Sequence, residues 1–80
     1  MTFEKLAERL EEKGFSTTNL NVSISCLQDS STDTILGSNA RFRGFIDGMY
    51  TCQIITEEER FELMEEIGEL FNNRLKELYK

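Results

Sequence analysis

The chain has 80 residues, a net charge of −6 and an isoelectric point near 4.6, which allows one domain with a small core. Its nine basic residues are scattered among fifteen acidic ones, so direct binding to nucleic acid, which needs a basic patch, is disfavoured. The absence of histidine excludes the commonest general base and every Ser-His or Cys-His pair, and with only two cysteines it disfavours a structural zinc site.

The first predicted element is a helix over residues 2–13. Apolar residues recur on one face of this segment at helical spacing, namely Phe3, Leu6, Ala7 and Leu10. Thr2 suits the N-cap, and Gly14 suits the left-handed position that follows the last turn. Phe15 would then fold back onto Leu10 in a Schellman ending.

Residues 16–37 are predicted to form an extended segment or a β-hairpin. Apolar residues alternate with polar ones at Leu20, Val22, Ile24 and Cys26, a period of two that is typical of a half-buried strand. Residues 28–31 have the composition of a turn, and residues 32–36 are predicted to return as a second strand ended by Gly37. A lone hairpin is barely stable in water, so we expect either a connector lying on a helix or an edge strand that pairs with another chain.

Two helices are predicted to follow, over residues 39–52 and 57–79, and the short loop between them favours an antiparallel hairpin. Gly44 and Gly48 lie four residues apart in the first of these helices. Because glycine costs about 1 kcal/mol in a helix interior, the pair suggests that another backbone approaches closely there. A locally irregular helix is the alternative.

The last predicted helix begins with a capping box formed by Thr56 and Glu59. Its apolar residues cover an arc of about 180° on a helical wheel, which is wider than packing on one neighbour requires. We therefore expect this helix to contact at least two others, one of them from a second copy in a homodimer. The residues expected to mediate this self-association are Leu63, Ile67, Leu70, Phe71 and Leu78.

The outer face of the last helix carries an acidic ridge, which consists of Glu62, Glu65, Glu66 and Glu69. Solvated carboxylates keep ordinary pKa values and are poor catalysts, so we predict no enzyme and no cofactor. The ridge either keeps the protein soluble or engages a basic surface of another protein, for example a groove that holds nucleic acid. Complementary charge would make such binding fast and sensitive to salt.

Residues 42–50 read Phe-Arg-Gly-Phe-Ile-Asp-Gly-Met-Tyr, and residues 54–59 read Ile-Ile-Thr-Glu-Glu-Glu. This pattern resembles that of small acidic accessory proteins of phages and mobile elements of Gram-positive bacteria, including anti-CRISPR-like inhibitors of host defence nucleases. The sequence departs from the usual form at residues 51–53, where a small residue followed by glycine is common. The resemblance implies no catalytic residue, and it favours a protein that modulates a host protein.

The sequence thus predicts a single domain over residues 1–80 that is mainly α, with α+β as the alternative. It comprises an N-terminal helix, a central extended segment or β-hairpin, and a C-terminal antiparallel helical hairpin. No apolar run is long enough to span a membrane and no signal-peptide core is present, so we expect a cytoplasmic location. The expected function is binding to a host protein with a basic surface, without direct nucleic-acid contact. The alternative is a structural module that forms a homodimer or docks in a larger assembly.

Overall fold

A computed structural model of residues 1–80 shows a fold of four helices without strands. The helices are α1 (Phe3–Glu12), α2 (Thr18–Gln28), α3 (Ile35–Thr51) and α4 (Glu57–Leu78). They account for 75% of the residues. The prediction of a mainly α protein is therefore confirmed. No helix is both long enough and apolar enough to cross a membrane.

The prediction of an extended segment over residues 16–37 is wrong, because α2 occupies most of it. The alternating pattern assigned Val22 and Cys26 to the same inner face as Leu20, but both are exposed. Leu20, Ile24 and Leu27, which follow one another at four and three residues, face the core instead. The apolar residues fit both periods, and only the helical period also buries Leu27.

The predicted second strand over residues 32–36 is also absent, because α3 begins at Ile35 and not at residue 39. A turn leads into it: the backbone N–H of Ser31 donates to the Thr34 side chain at 2.9 Å, and Ile35 N–H donates to the Ser31 carbonyl at 2.9 Å. Gly37, which was expected to end a strand, lies inside α3. The local hydrogen bonds of this serine and threonine therefore start a helix where their composition suggested a β-turn.

The glycines of α3 do not mark a close approach of another backbone within the chain. A Cβ atom added at Gly37, Gly44 or Gly48 would meet no other atom within 4 Å. At helical spacing these positions follow the side of α3 that faces away from the buried Phe42 and Ile46. The close packing predicted from Gly44 and Gly48 is therefore wrong for the single chain.

Two helices end in the same left-handed turn. Gly14 adopts a φ of 78° after α1, Phe15 N–H donates to the Leu10 carbonyl at 2.8 Å, and the predicted Schellman ending is confirmed. After α3 the same position is held by Gln53, with a φ of 62°, and Ile54 N–H donates to the Met49 carbonyl at 2.9 Å. Gln53 therefore adopts the left-handed backbone conformation that glycine usually adopts at this position.

The antiparallel pair of α3 and α4 is the frame on which α1 and α2 are packed. Near the connecting loop, Arg60 of α4 pairs with Asp47 of α3 at 3.1 Å, and farther from it Arg43 of α3 contacts the sulfur of Met64 at 3.6 Å. With 22 residues, α4 is roughly 33 Å long and extends along most of the 40 Å principal axis. α1 and α2 cover one side of this pair, where the rings of Phe3 and Phe42 stack at 5.1 Å.

One apolar core joins the four helices and the loop before α4. Its ten buried members are Leu6, Leu10, Leu20, Leu27, Ile35, Phe42, Ile46, Ile55, Leu63 and Ile67. Leu63 and Ile67, which were expected to mediate self-association, are fully buried within the single chain. Leu70, Phe71 and Leu78 are half-buried against the same core. Contacts with α1, α2 and α3 therefore explain much of the wide apolar arc of α4 without a second copy.

The two left-handed turn positions differ in energetic cost, and this difference can be measured. A side chain in the left-handed region costs roughly 1 kcal/mol, which applies to Gln53 and not to Gly14. We expect Gln53→Gly to raise the free energy of unfolding by about 0.5–1 kcal/mol and Gly14→Ala to lower it by about 1 kcal/mol. Urea unfolding followed by circular dichroism measures both changes. A Gln53→Gly variant less stable than the unmodified chain would contradict this account of the turn.

Candidate protein-binding surface

α4 presents its carboxylates along a helix whose first turn is fixed by hydrogen bonds. The Glu59 N–H donates to the Thr56 hydroxyl at 3.2 Å, and the Thr56 N–H donates to the Glu59 carboxylate at 2.9 Å. The predicted capping box is therefore confirmed. These bonds satisfy two backbone donors that would otherwise be unpaired, so the start of the acidic helix is well defined.

Glu59 also connects α4 to α1 and to the loop. Arg9 of α1 donates from Nη1 to the Glu59 carboxylate and to the Ile54 carbonyl at 3.3 Å. The hydrogen bond from Arg9, assisted by the backbone of Thr56, lowers the pKa of Glu59 from 4.5 to about 2, although burial opposes the shift. Glu59 is therefore a structural carboxylate that stays charged at neutral pH, and its binding capacity is used within the chain.

Glu66 is the one member of the predicted acidic ridge that does not face solvent. It lies half-buried between α1 and α4 and accepts the backbone N–H of Phe3 at 3.2 Å. That N–H belongs to the first residue of α1 and has no partner within its own helix. Burial raises the pKa of Glu66, and the nearby charge of Glu69 adds to the shift. Glu66 thus helps to hold α1 on α4 and is not free to bind another protein.

The other three ridge residues, Glu62, Glu65 and Glu69, are exposed. The Glu62 carboxylate forms an ion pair with the α-amino group of Met1 at 2.7 Å, whereas Glu65 and Glu69 form no ion pair. Glu58 is exposed, forms no ion pair and lies four residues before Glu62, on the same side of α4. Sequence reasoning missed Glu58, although its spacing from Glu62 gave the signal. We name Glu58, Glu62, Glu65 and Glu69 the exposed acidic stripe.

A polar groove of about 370 Å³ lies between α1 and α4, next to the exposed acidic stripe. Its lining consists of Met1, Lys5, Glu8, Arg9, Glu12 and Glu59. The groove is open and almost entirely charged, unlike the mostly apolar pockets that enclose small molecules. It extends the acidic surface onto α1 through Glu8 and Glu12.

The carboxylates of this surface are spread along the helices and do not converge on one point. No group of three or more His, Cys, Asp and Glu side chains is arranged to hold a metal ion. Cys26 and Cys52 are free and exposed, Cys26 on α2 and Cys52 directly after α3.

No protein-family model, no curated protein and no solved structure matches the chain. Any inference of function therefore rests on the surface chemistry described above. A row of unpaired carboxylates on a capped helix can bind a complementary row of Lys and Arg side chains. Such complementary charges raise association rates and make binding weaken as salt is added.

The Glu59–Arg9 contact predicts a pH dependence of stability. The folded-state pKa of Glu59 lies below its ordinary value, so its contribution is complete above pH 4.5 and is lost as the pH falls toward 2. We expect Glu59→Gln to lower the free energy of unfolding by about 2 kcal/mol at pH 7, and the deficit to shrink as the pH falls below 4.5. Urea unfolding across this pH range measures the deficit.

Glu65→Gln is the matched control for Glu59→Gln, because Glu65 is on the same helix, exposed and unpaired. We expect its stability to follow that of the unmodified chain at every pH. A deficit for Glu59→Gln that stays constant down to pH 2 would show that the ion pair with Arg9 does not carry the effect.

Proposed function

We propose that this protein is a small acidic binding protein whose exposed acidic stripe docks on a basic surface of a host protein. The observation that carries the proposal is the state of Glu58, Glu65 and Glu69, which are exposed, unpaired and aligned on one side of α4. Neighbouring like charges on a helix destabilise it by a few tenths of a kcal/mol per pair. A basic partner would relieve that repulsion.

The spacing of the carboxylates favours a partner surface that otherwise holds phosphates. The exposed acidic stripe runs from Glu58 to Glu69, which spans roughly 16 Å of helix and carries four negative charges. Surfaces that bind nucleic acid present Lys and Arg side chains in rows, because they neutralise successive phosphates. A carboxylate row bound to such a surface would exclude the nucleic acid.

Occupation of a phosphate-binding surface would make the protein an inhibitor or modulator of a host nucleic-acid-processing protein. This role agrees with the resemblance to small anti-CRISPR-like accessory proteins of phages and mobile elements. The scaffold suits it, because Glu59 and Glu66 fix α1 against α4 and leave the outer edge of α4 unobstructed. Binding then requires little reordering of the acidic surface, which lowers its entropic cost.

The test is affinity capture from a bacterial lysate at low and high salt, with identification by mass spectrometry and measurement of the dissociation constant. The variant Glu65→Lys with Glu69→Lys reverses two exposed, unpaired charges. It leaves Glu59 and Glu66, on which the fold depends, unchanged. We expect affinity to fall at least about tenfold at low salt, with a smaller loss at high salt.

A matched double variant separates the stripe from the net charge. Glu11→Lys with Asp33→Lys reverses two exposed carboxylates on α1 and in the loop before α3. Each reversal adds two positive units, so both double variants have a net charge of −2 where the unmodified chain has −6. We expect this control to keep its partner. Equal losses in both variants, or full retention in the stripe variant, would refute the proposed docking surface.

A further inference from the structure

A pocket of about 260 Å³ lies where the ends of α1 and α3 meet the start of α2. Its walls are the apolar side chains of Leu10, Phe15, Phe45, Met49 and Ile54, and Ser16 and Asn19 lie at its mouth. No charged side chain lines it, in contrast to the polar groove between α1 and α4. We name it the apolar pocket.

The two left-handed turns of the fold build most of the apolar pocket. After α1, Phe15 N–H donates to the Leu10 carbonyl at 2.8 Å, and after α3, Ile54 N–H donates to the Met49 carbonyl at 2.9 Å. Residues joined in this way bring their side chains together at a Schellman ending, and all four line the pocket. The backbone of two helix ends therefore fixes its walls. Gln53 holds the second turn in the left-handed region, and strain of this kind is concentrated at functional sites.

The size and the lining of the apolar pocket select an aromatic side chain. Since a cavity of about 150 Å³ holds benzene, this pocket has room for one ring system as large as indole. Phe15 and Phe45 offer contacts between rings, and the Met49 sulfur also packs favourably on an aromatic ring. The charged head of a Lys or Arg side chain would find no partner in this lining.

The mouth of the pocket offers one free hydrogen-bonding group. The side-chain hydrogen bonds of this turn join Ser16 to Thr18 and Thr17 to Asn21, and they leave the Asn19 amide free. That amide can accept the indole N–H of a Trp side chain or the hydroxyl of a Tyr side chain. Trp and Tyr therefore fit the pocket better than Phe, which has no polar group to offer.

The open mouth favours a side chain of a protein over a free small molecule. Phe15 is 52% exposed, and Ser16 and Asn19 are exposed as well. Sites for small molecules bury most of the ligand, whereas this pocket would leave one edge of a free ligand in water. A protein that inserts a side chain also covers the Phe15 ring with its own surface, which removes that apolar area from water.

The apolar pocket adjoins the acidic surface of the chain. Arg9 donates to Glu59, which lines the polar groove, and to the carbonyl of Ile54, which lines the apolar pocket. A standard interface covers about 800 Å² on each partner, so one partner can reach two sites that share this contact. Charged contacts of an interface mainly raise the association rate, while a few buried anchors, often Trp or Tyr, supply most of the affinity.

We propose that the basic host protein inserts one Trp or Tyr side chain into the apolar pocket while its cationic side chains engage the exposed acidic stripe. The inference rests on the proposed function, because it assigns a second element to the same partner. The acidic stripe attracts the partner, and the apolar pocket retains it.

The first test uses the isolated chain and needs no partner. The probes are 3-methylindole and p-cresol, which correspond to the side chains of Trp and Tyr. We expect both to shift the amide resonances of residues 15–19 and 45–54 in an NMR titration, with dissociation constants on the order of 1 mM. Propylguanidine, which corresponds to the Arg side chain, should leave them unchanged. Failure of 3-methylindole to bind, or equal binding of propylguanidine, would overturn the proposal.

Asn19→Trp blocks the apolar pocket from within, because the new indole fills or covers it. Asn21→Trp is the matched control, since it makes the same change at an exposed position of α2 outside the lining. We expect Asn19→Trp to weaken binding of 3-methylindole at least about tenfold and Asn21→Trp to leave it unchanged. Phe15→Ala, which removes a half-exposed wall, should weaken it at least about threefold. Equal effects of the two Trp variants, or full binding by Phe15→Ala, would contradict the assigned site.

Binding kinetics with the captured host protein separate the two sites. We expect Asn19→Trp to raise the dissociation rate at least about tenfold at both low and high salt, because an apolar anchor is not screened. The variant Glu65→Lys with Glu69→Lys should instead lower the association rate, and only at low salt. Normal association of that variant would refute the proposed function alone. Normal dissociation of Asn19→Trp would refute the aromatic anchor alone, and the pocket would then be a site for small molecules.

Discussion

The carboxylate of Glu59 is the contact on which the arrangement of α1, the loop and α4 depends. It accepts the backbone N–H of Thr56, which fixes the start of α4, and it accepts Arg9, which brings the end of α1 against the same turn. Arg9 reaches on to the carbonyl of Ile54 and so holds the loop as well. Because α1 is short, this anchor also determines where its first residue lies, and there Glu66 accepts the Phe3 N–H.

The anchor divides the acidic residues of α4 into two groups with different roles. Glu59 and Glu66 are committed to contacts within the chain, and their pKa values shift in opposite directions for that reason. Arg9 holds the pKa of Glu59 at about 2, while burial raises the pKa of Glu66. Glu58, Glu65 and Glu69 have no such partners. Net charge does not distinguish the two groups, because the distinction depends on which carboxylates are covered when α1 packs on α4.

Local signals allowed the sequence to predict the helices that have clear ends. The capping box at Thr56, the left-handed Gly14 and the long apolar arc of α4 each depend on residues close in the chain, and each was recognised. α2 was missed because Leu20 and Ile24 satisfy a strand and a helix equally, and only packing against α3 and α4 decides between them.

Two features of the surface also depended on tertiary structure. Glu66 was assigned to the outer face because nothing local indicates where α1 docks. The apolar arc of α4 was correctly recognised as too wide for one neighbouring helix. The sequence could not show which residues of the arc belong to the core and which stay exposed. The structure assigns Leu63 and Ile67 to the core and leaves Phe61 exposed.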